Sequence, residues 1–377
     1  MAISVGIPKE SVAGERRVSA VPELVQRFNR AGMDILLEKG AGDAACYADA
    51  DFEEKGARIV SRAEALGADI VLKVQPPTPE EISGLKKGAV LIGFLSPLDH
   101  PKVAKALAAA GTSAFAMELV PRISRAQTMD ALSAMGSIGG YRAVLLAAER
   151  LPKFFPLLTT AAGTVKPANV LVLGAGVAGL QAIATARRLG ARVSAYDIRA
   201  EVKEQIESLG GRFVELEIET QDSDDTGGYA KALAEEKAKR QTELLEPHIA
   251  KADVVVTTAL IPGRPAPVLI TENAVKGMHA GSVIVDLAAA NGGNCALTKA
   301  GETVVANGVT ILGPTNLPAE MAVHGSEMYG RTLLALAGEM VKDGELSLDF
   351  EDEIIGGSCV CHAGDVVNER VKSLLAG

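Results

Sequence analysis

Residues 170–199 read VLVLGAGVAGLQAIATARRLGARVSAYDIR. An apolar run gives way to Gly174, Gly176 and Gly179 in the spacing G-x-G-x-x-G, then to a helical stretch, then to a second apolar run that ends in Asp197. Two parallel strands in succession need a crossover, so this order prescribes strand, tight turn, helix and parallel strand. The first glycine makes the turn, the second lets backbone N–H groups approach a pyrophosphate, and the third allows helix and strand to pack closely. The helix N-terminus adds partial positive charge at the same point. Asp197 stands about 20 residues beyond the glycines, where a carboxylate binds both ribose hydroxyls and repels a 2′-phosphate. The pattern therefore favours NAD(H) over NADP(H). Arg199 stands close enough to soften that preference, or to stack on adenine instead. A glycine turn that binds nothing is the plainer alternative.

Strands and helices alternate elsewhere too. ISVGIP, DILLEKG, ADIVLKV, GAVLIGFL and TSAFAME read as strands, with helical VPELVQRFNRAG and PKVAKALAAAG among them, so residues 1–120 predict a parallel sheet covered by helices. Helical patterns from about Ala126 to Leu151 and over 326–343 bracket a second series, NVLVLGAG, RVSAYD, DVVVTTAL, SVIVDLA and TILGPT. The expected fold class is α/β, with two Rossmann-like, doubly wound parallel-sheet domains joined by long helices and a cleft between them. Residues 1–130 with 325–377 form one domain and 131–324 the other. The acidic stretch ELEIETQDSDDTGGYAK, residues 215–231, has no apolar period and reads as an exposed loop, either a solvated insertion or a lid hinged at its glycines.

A length of 377 residues, 48% hydrophobic and 23% charged, is that of a globular protein of two domains. The net charge of −9 argues against nucleic acid or anionic lipid as partners, and 3% aromatics without Trp argues against base stacking. The four cysteines form no C-x-x-C pair, which suggests a reducing compartment, and SCVCH reads as a strand rather than a metal site. The expectations are no signal peptide, no membrane insertion and no metal.

The chain offers no evident nucleophile, and its five histidines stand apart in sequence. Lys73, at the end of DIVLKV, is either a ligand-facing group at a sheet edge or a surface lysine. A polar cluster stands out in PRISRAQTMDALS, residues 121–133. On a helix starting near Ala126, Gln127, Asp130 and Ser133 share one face, while Met129 and Leu132 turn toward a core. Such a face suits the carboxamide and ribose of a nicotinamide, or a capped and solvated helix start.

GIPKE, GERRVSAVPE, RISRAQTMD, TAAGTVKPANVLVLGAGVAGLQAIATARRLGA, ESLGG, TTALIPGRPAPVLIT and GSVIVDLAAANGGN together resemble a known family over essentially the whole chain. They are similar to the NAD(H)-binding alpha chains, domain I, of the proton-translocating nicotinamide nucleotide transhydrogenases, in the alanine dehydrogenase/transhydrogenase family. The resemblance implies that NADH bound here passes hydride directly to NADP⁺ held on a separate NADP(H)-binding subunit, coupled to proton movement through a membrane-spanning subunit. It assigns the nicotinamide end to Arg122, Gln127, Asp130 and Ser133, with Ile123, Ser124 and Arg125 as further cofactor contacts in the same segment. It adds Gly174, Gly176, Val177 and Gly179 from the turn, and Asp197, Ile198 and Arg199 from the ribose strand. Gly228 and Tyr229 match a mobile loop that closes over NAD(H), and Gln241 and Leu260 match nucleotide contacts.

Alanine dehydrogenase is the nearest alternative within that resemblance. Its carboxylate- and carbonyl-binding residues match Arg17 and Lys73, but its catalytic histidine falls at Ser96 and an aspartate at Ala290. Without them no group is evident for imine chemistry. Hydride transfer between two nucleotides needs no acid–base group, only positioned rings. A non-catalytic NAD-sensing module is a third reading. With no span before Gly377, the resemblance implies a homodimer that is peripheral on the cytoplasmic face of the membrane, docked on its partner subunits.

Overall fold

The computed structural model describes residues 2–216, 228–261, 263–342 and 344–376, apart from the side chains of 228–235. The chain divides into two compact units, Met1–Met135 with Pro318–Gly377, and Gly136–Leu317.

The first unit holds strands β1 Ile3–Ile7, β2 Met33–Glu38, β3 Arg58–Val60, β4 Ile70–Leu72, β5 Val90–Gly93 and β6 Ser113–Ala116. They lie side by side in the order β3-β2-β1-β4-β5-β6, all parallel. The C-terminal strands Cys359–His362 and Asp365–Val366 extend this sheet beyond β6 in antiparallel fashion.

In the second unit an exposed hairpin, β7 Leu158–Thr160 and β8 Gly163–Val165, precedes the main sheet. Strands β9 Asn169–Leu173, β10 Arg192–Tyr196, β11 Arg212–Phe213, β12 Val254–Thr257, β13 Val283–Asp286, β14 Thr303–Ala306 and β15 Val309–Leu312 follow. Their order is β11-β10-β9-β12-β13-β15-β14, parallel except for the β14–β15 hairpin. Counted from β1 and from β9, the parallel strands of both sheets run 3-2-1-4-5-6, the doubly wound Rossmann order. Every residue of β4, β5, β12 and β13 is buried, as expected for strands covered by helices on both faces. The strand order reverses between β1 and β4 and between β9 and β12. The carboxyl ends flanking such reversals are where ligands bind.

Three expected elements differ from those observed. The helix expected from Ala126 is broken: Ser124–Met129 is 3₁₀, Asp130 leaves helical geometry at ψ 82, and the α-helix runs Ala131–Arg150. The helix expected over 326–343 runs Ala322–Glu339, because Val341–Lys342 turns into a short hairpin with Glu345–Leu346. Of the loop expected over 215–231, residues 217–227 lie outside the described residues. Gly228 and Tyr229 are not loop residues, since they open the helix Gly228–Ala250. The run AKALAEEKAK that follows is rich in strong helix formers, which extends the helix back to the glycine.

Ala131–Arg150 is long and apolar enough to cross a membrane by length and composition, with a mean hydropathy of 1.2. Its buried face is spent on the protein, however. Ala143, Val144 and Ala147 join the core of the second unit. Gly140 lets the helix approach the next one closely, since a Cβ there would lie 2.0 Å from the carbonyl oxygen of Ala178. Gly139 beside it faces nothing within 4 Å. Gly140→Ala is therefore expected to destabilise the protein by about 1–3 kcal/mol. Gly139→Ala is expected to be neutral or to stabilise by up to about 1 kcal/mol through helix propensity. Urea unfolding of the two variants checks this, and equal effects would contradict the packing.

Candidate functional site

The glycine turn joins β9 to the helix Val177–Arg188. Gly174 has φ +96, a left-handed value that favours glycine. A Cβ on Gly179 would lie 1.8 Å from the Gly174 carbonyl oxygen, so the first turn of the helix presses directly on the strand end. A Cβ on Gly176 would meet nothing within 4 Å. Its side faces open space at the helix N-terminus, a cradle that fits a pyrophosphate and that any side chain would fill. Thr258, just past β12, donates its hydroxyl to the Gly174 carbonyl at 3.1 Å and ties the turn to the neighbouring strand.

Asp197 follows β10 and closes the other side. One carboxylate oxygen accepts the Ala175 N–H at 2.7 Å and Arg199 Nη2 at 3.0 Å, and the other accepts Arg199 N–H and Nε, both at 2.9 Å. Burial alone would raise this carboxyl, but the Arg199 side chain, the two backbone N–H groups and the Arg199 charge hold it below the usual carboxylate range. Around this edge three apolar side chains stand in solvent: Val177 at 42%, Ile198 at 80% and Leu260 at 51% exposure. They follow β9, β10 and β12, three adjacent strands, and offer faces for an adenosine. Gln241 donates to the Tyr196 hydroxyl at 3.0 Å, next to Asp197. The structure thus gathers the glycines, Val177, Asp197, Ile198, Arg199, Gln241 and Leu260 at one end of one sheet.

Asp286 and Asn294, which the sequence pattern did not single out, brace this edge. Asp286, fully buried at the end of β13, accepts the hydroxyls of Thr257 and Thr298 and the N–H groups of Ala288, Asn294 and Cys295. Asn294 bonds both backbone groups of Ala259 and the Pro267 carbonyl, fixing the segment that carries Leu260. The available signal was a charged residue ending an otherwise apolar strand.

The polar cluster lies in the first unit and does not form one helical face. Asp130 caps the helix Ala131–Arg150: its two oxygens accept the Ser133 N–H at 2.8 Å and the Ser133 hydroxyl at 2.6 Å. Arg125 donates to Asp352 at 2.5 Å and approaches Glu339 at 3.7 Å, which makes it a brace to the C-terminal segment. Arg122, Ser124 and Gln127 are exposed and Ile123 is half-buried. Met129 is buried as expected, but Leu132 is 42% exposed because the break at Asp130 rotates the following turn.

Lys73 is not a surface lysine. It is fully buried, with Nζ 3.1 Å from Glu10 and 3.0 Å from Glu81. The Tyr329 hydroxyl donates to the Lys73 carbonyl at 2.9 Å. Arg17 is likewise buried in a two-pronged pair with Glu15, at 2.8 and 2.6 Å. The cysteines of the Cys359–His362 strand are free, and burial pushes their thiols up to about 12 for Cys359 and about 11 for Cys361, so neither is a nucleophile near neutrality.

Glu118, just past β6, accepts the N–H groups of Leu95 and Ser96 on one oxygen, the second in a short bond. Its other oxygen is sealed from solvent without a partner, and Ser96 has φ +46. Burial pushes the carboxyl from 4.5 up to about 7. Its folded value lies above its unfolded one, so its contribution to stability is complete below about pH 4.5 and is lost as pH rises through about 7. Glu118→Gln keeps the acceptor and has no proton to lose. The difference in stability between native protein and variant is expected to shift against the native protein across that window, as read from unfolding midpoints. Parallel profiles would contradict the assignment.

The alanine dehydrogenase/PNT N-terminal domain family matches residues 6–139 and the C-terminal domain family matches residues 143–369. The chain is 47% identical over 376 residues to the first portion of the NAD(P) transhydrogenase subunit alpha of Rhodospirillum rubrum, covering 97% of this chain and 98% of that one. Among solved structures, a transhydrogenase from Sinorhizobium meliloti superposes with TM-score 0.86 at 41% identity, covering 97% of this chain and 99% of the other. An L-alanine dehydrogenase superposes with TM-score 0.84 at 27% identity, covering 99% of both. The chain belongs to the alanine dehydrogenase/PNT family and carries both of its domains.

Proposed function

We propose that the chain is the NAD(H)-binding subunit of an NAD(P) transhydrogenase, which gives hydride from NADH to NADP⁺ held on a separate NADP(H)-binding subunit. The observation that carries this reading is the second unit's edge, where the Gly174–Gly179 turn, the Asp197 carboxylate and the exposed Val177, Ile198 and Leu260 stand together. The turn supplies backbone donors for a pyrophosphate, Asp197 the acceptors for a ribose, and the apolar side chains the faces for adenine. The dinucleotide itself supplies the hydride. Arg122, Gln127 and Ser133 are assigned to the nicotinamide end, with Asp130 setting the position of Ser133 through its cap. Ile123 and Ser124 keep their place as cofactor contacts, whereas Arg125 acts through its brace to Asp352.

Hydride passes between two nicotinamide rings with no proton changing hands, so no acid–base residue is needed. Similarity to NAD(P) transhydrogenase subunits supports the need for partner subunits. Coupling to proton movement, a homodimer, and a place on the cytoplasmic face of the membrane belong to the same proposal.

Alanine dehydrogenase activity is disfavoured by particular residues. Ser96 and Ala290 stand where that enzyme's histidine and aspartate fall, and Lys73 and Arg17 are already paired with glutamates. Purified chain is expected to bind NADH, and Asp197→Ala to weaken that binding by about 1–3 kcal/mol. It is expected to leave L-alanine with NAD⁺ unchanged. Unaltered NADH affinity in the variant, or turnover of alanine, would contradict the proposal.

A further inference from the structure

We propose that Arg199 is a displaceable placeholder: its guanidinium holds the two acceptor positions of Asp197 that a nucleotide's 2′- and 3′-hydroxyls require, and so sets the affinity of the ribose subsite. This rests on the NAD(H) reading above.

An ionised carboxylate offers about four lone-pair positions. At Asp197 all four are taken, by Ala175 N–H at 2.7 Å, Arg199 N–H at 2.9 Å, Arg199 Nε at 2.9 Å and Arg199 Nη2 at 3.0 Å. The first two donors are backbone groups. One is fixed in the glycine turn that makes the phosphate cradle, and the other lies in the main chain two residues beyond Asp197, so neither swings away as a side chain can. The other two belong to a side chain that is half exposed and can swing into solvent.

Ribose binding therefore exchanges two donors for two. Each oxygen of Asp197 gives up one guanidinium N–H and takes one hydroxyl, while its backbone donor stays. The pairing also neutralises a carboxylate that is otherwise desolvated, so Asp197 keeps its charge and its orientation in the absence of a nucleotide. The released guanidinium remains near Glu201, whose charge already acts on it.

Adenosine separates this idea from other roles of Arg199, because it presents the ribose hydroxyls and carries no charge. Its affinity for the full chain is read by competition against NADH fluorescence. Arg199→Ala is expected to bind adenosine about two- to fivefold more tightly than the native chain, the worth of a half-exposed ion pair that no longer has to open. Raising NaCl from about 0.05 to 0.5 M screens the pair and is expected to tighten adenosine binding to the native chain, with no such gain in the variant. Weaker adenosine binding in Arg199→Ala would mean that the guanidinium is itself a ligand contact, which overturns the proposal. Unchanged affinity with identical salt responses would make it a bystander and overturn it equally. If native chain binds neither adenosine nor NADH, the NAD(H) reading fails with it, whereas NADH binding that ignores Arg199 sinks the placeholder alone.

Discussion

The contact between Gly179 and the carbonyl of Gly174 is the constraint from which the second unit's edge is built. Only a residue without a Cβ lets the helix start so close to the strand end, since a Cβ would sit 1.8 Å from that oxygen. The close approach aims the first N–H groups of the helix outward from the sheet. It also leaves the Gly174 carbonyl and the Ala175 N–H directed sideways, where Thr258 and Asp197 reach them from the strands on either side. Three neighbouring strands are thereby locked at their carboxyl ends by one turn, and the exposed Val177, Ile198 and Leu260 are carried on that lock.

The first unit repeats the strand order without the turn, and the difference is chemical. After β1 the chain reads Pro8, Lys9, Glu10. Proline has no N–H to offer a phosphate, and Glu10 brings an anion to the same edge. The edge is instead filled by buried ion pairs among Glu10, Lys73 and Glu81 and between Glu15 and Arg17. Buried pairs of this kind are costly to break, because losing one partner strands the other charge. Two sheets of one topology thus carry different edges, one with an open glycine turn and one closed on itself by ion pairs.

Much of this was legible in the sequence. Strands buried on both faces announce themselves as Val/Ile/Leu runs, and the glycine spacing with Asp197 located the turn and the strand that Asp197 follows. The errors have physical causes. Asp130 competes with helix continuation through its side chain, so a periodicity running through it predicted one helix where there are a 3₁₀ segment and an α-helix. Gly228 marked a loop end only until the helix-forming run behind it was weighed. The pairings of Lys73 with Glu10 and of Arg125 with Asp352 were out of reach, because they span 63 and 227 residues. Tertiary pairing at such separations leaves no local pattern. The Arg199 pairing with Asp197, by contrast, spans two residues, and only its geometry was missing.

The most direct test of the hydride-donor reading is a mixing experiment. Purified chain with bound NADH is combined with a separately expressed NADP(H)-binding domain of a transhydrogenase carrying NADP⁺, and NADPH formation is followed in a single turnover. Transfer that requires both proteins and fails with either alone is the result expected of a subunit that positions one ring for another. NADH that stays bound while no hydride crosses, with a partner domain active toward its own cognate subunit, would contradict it.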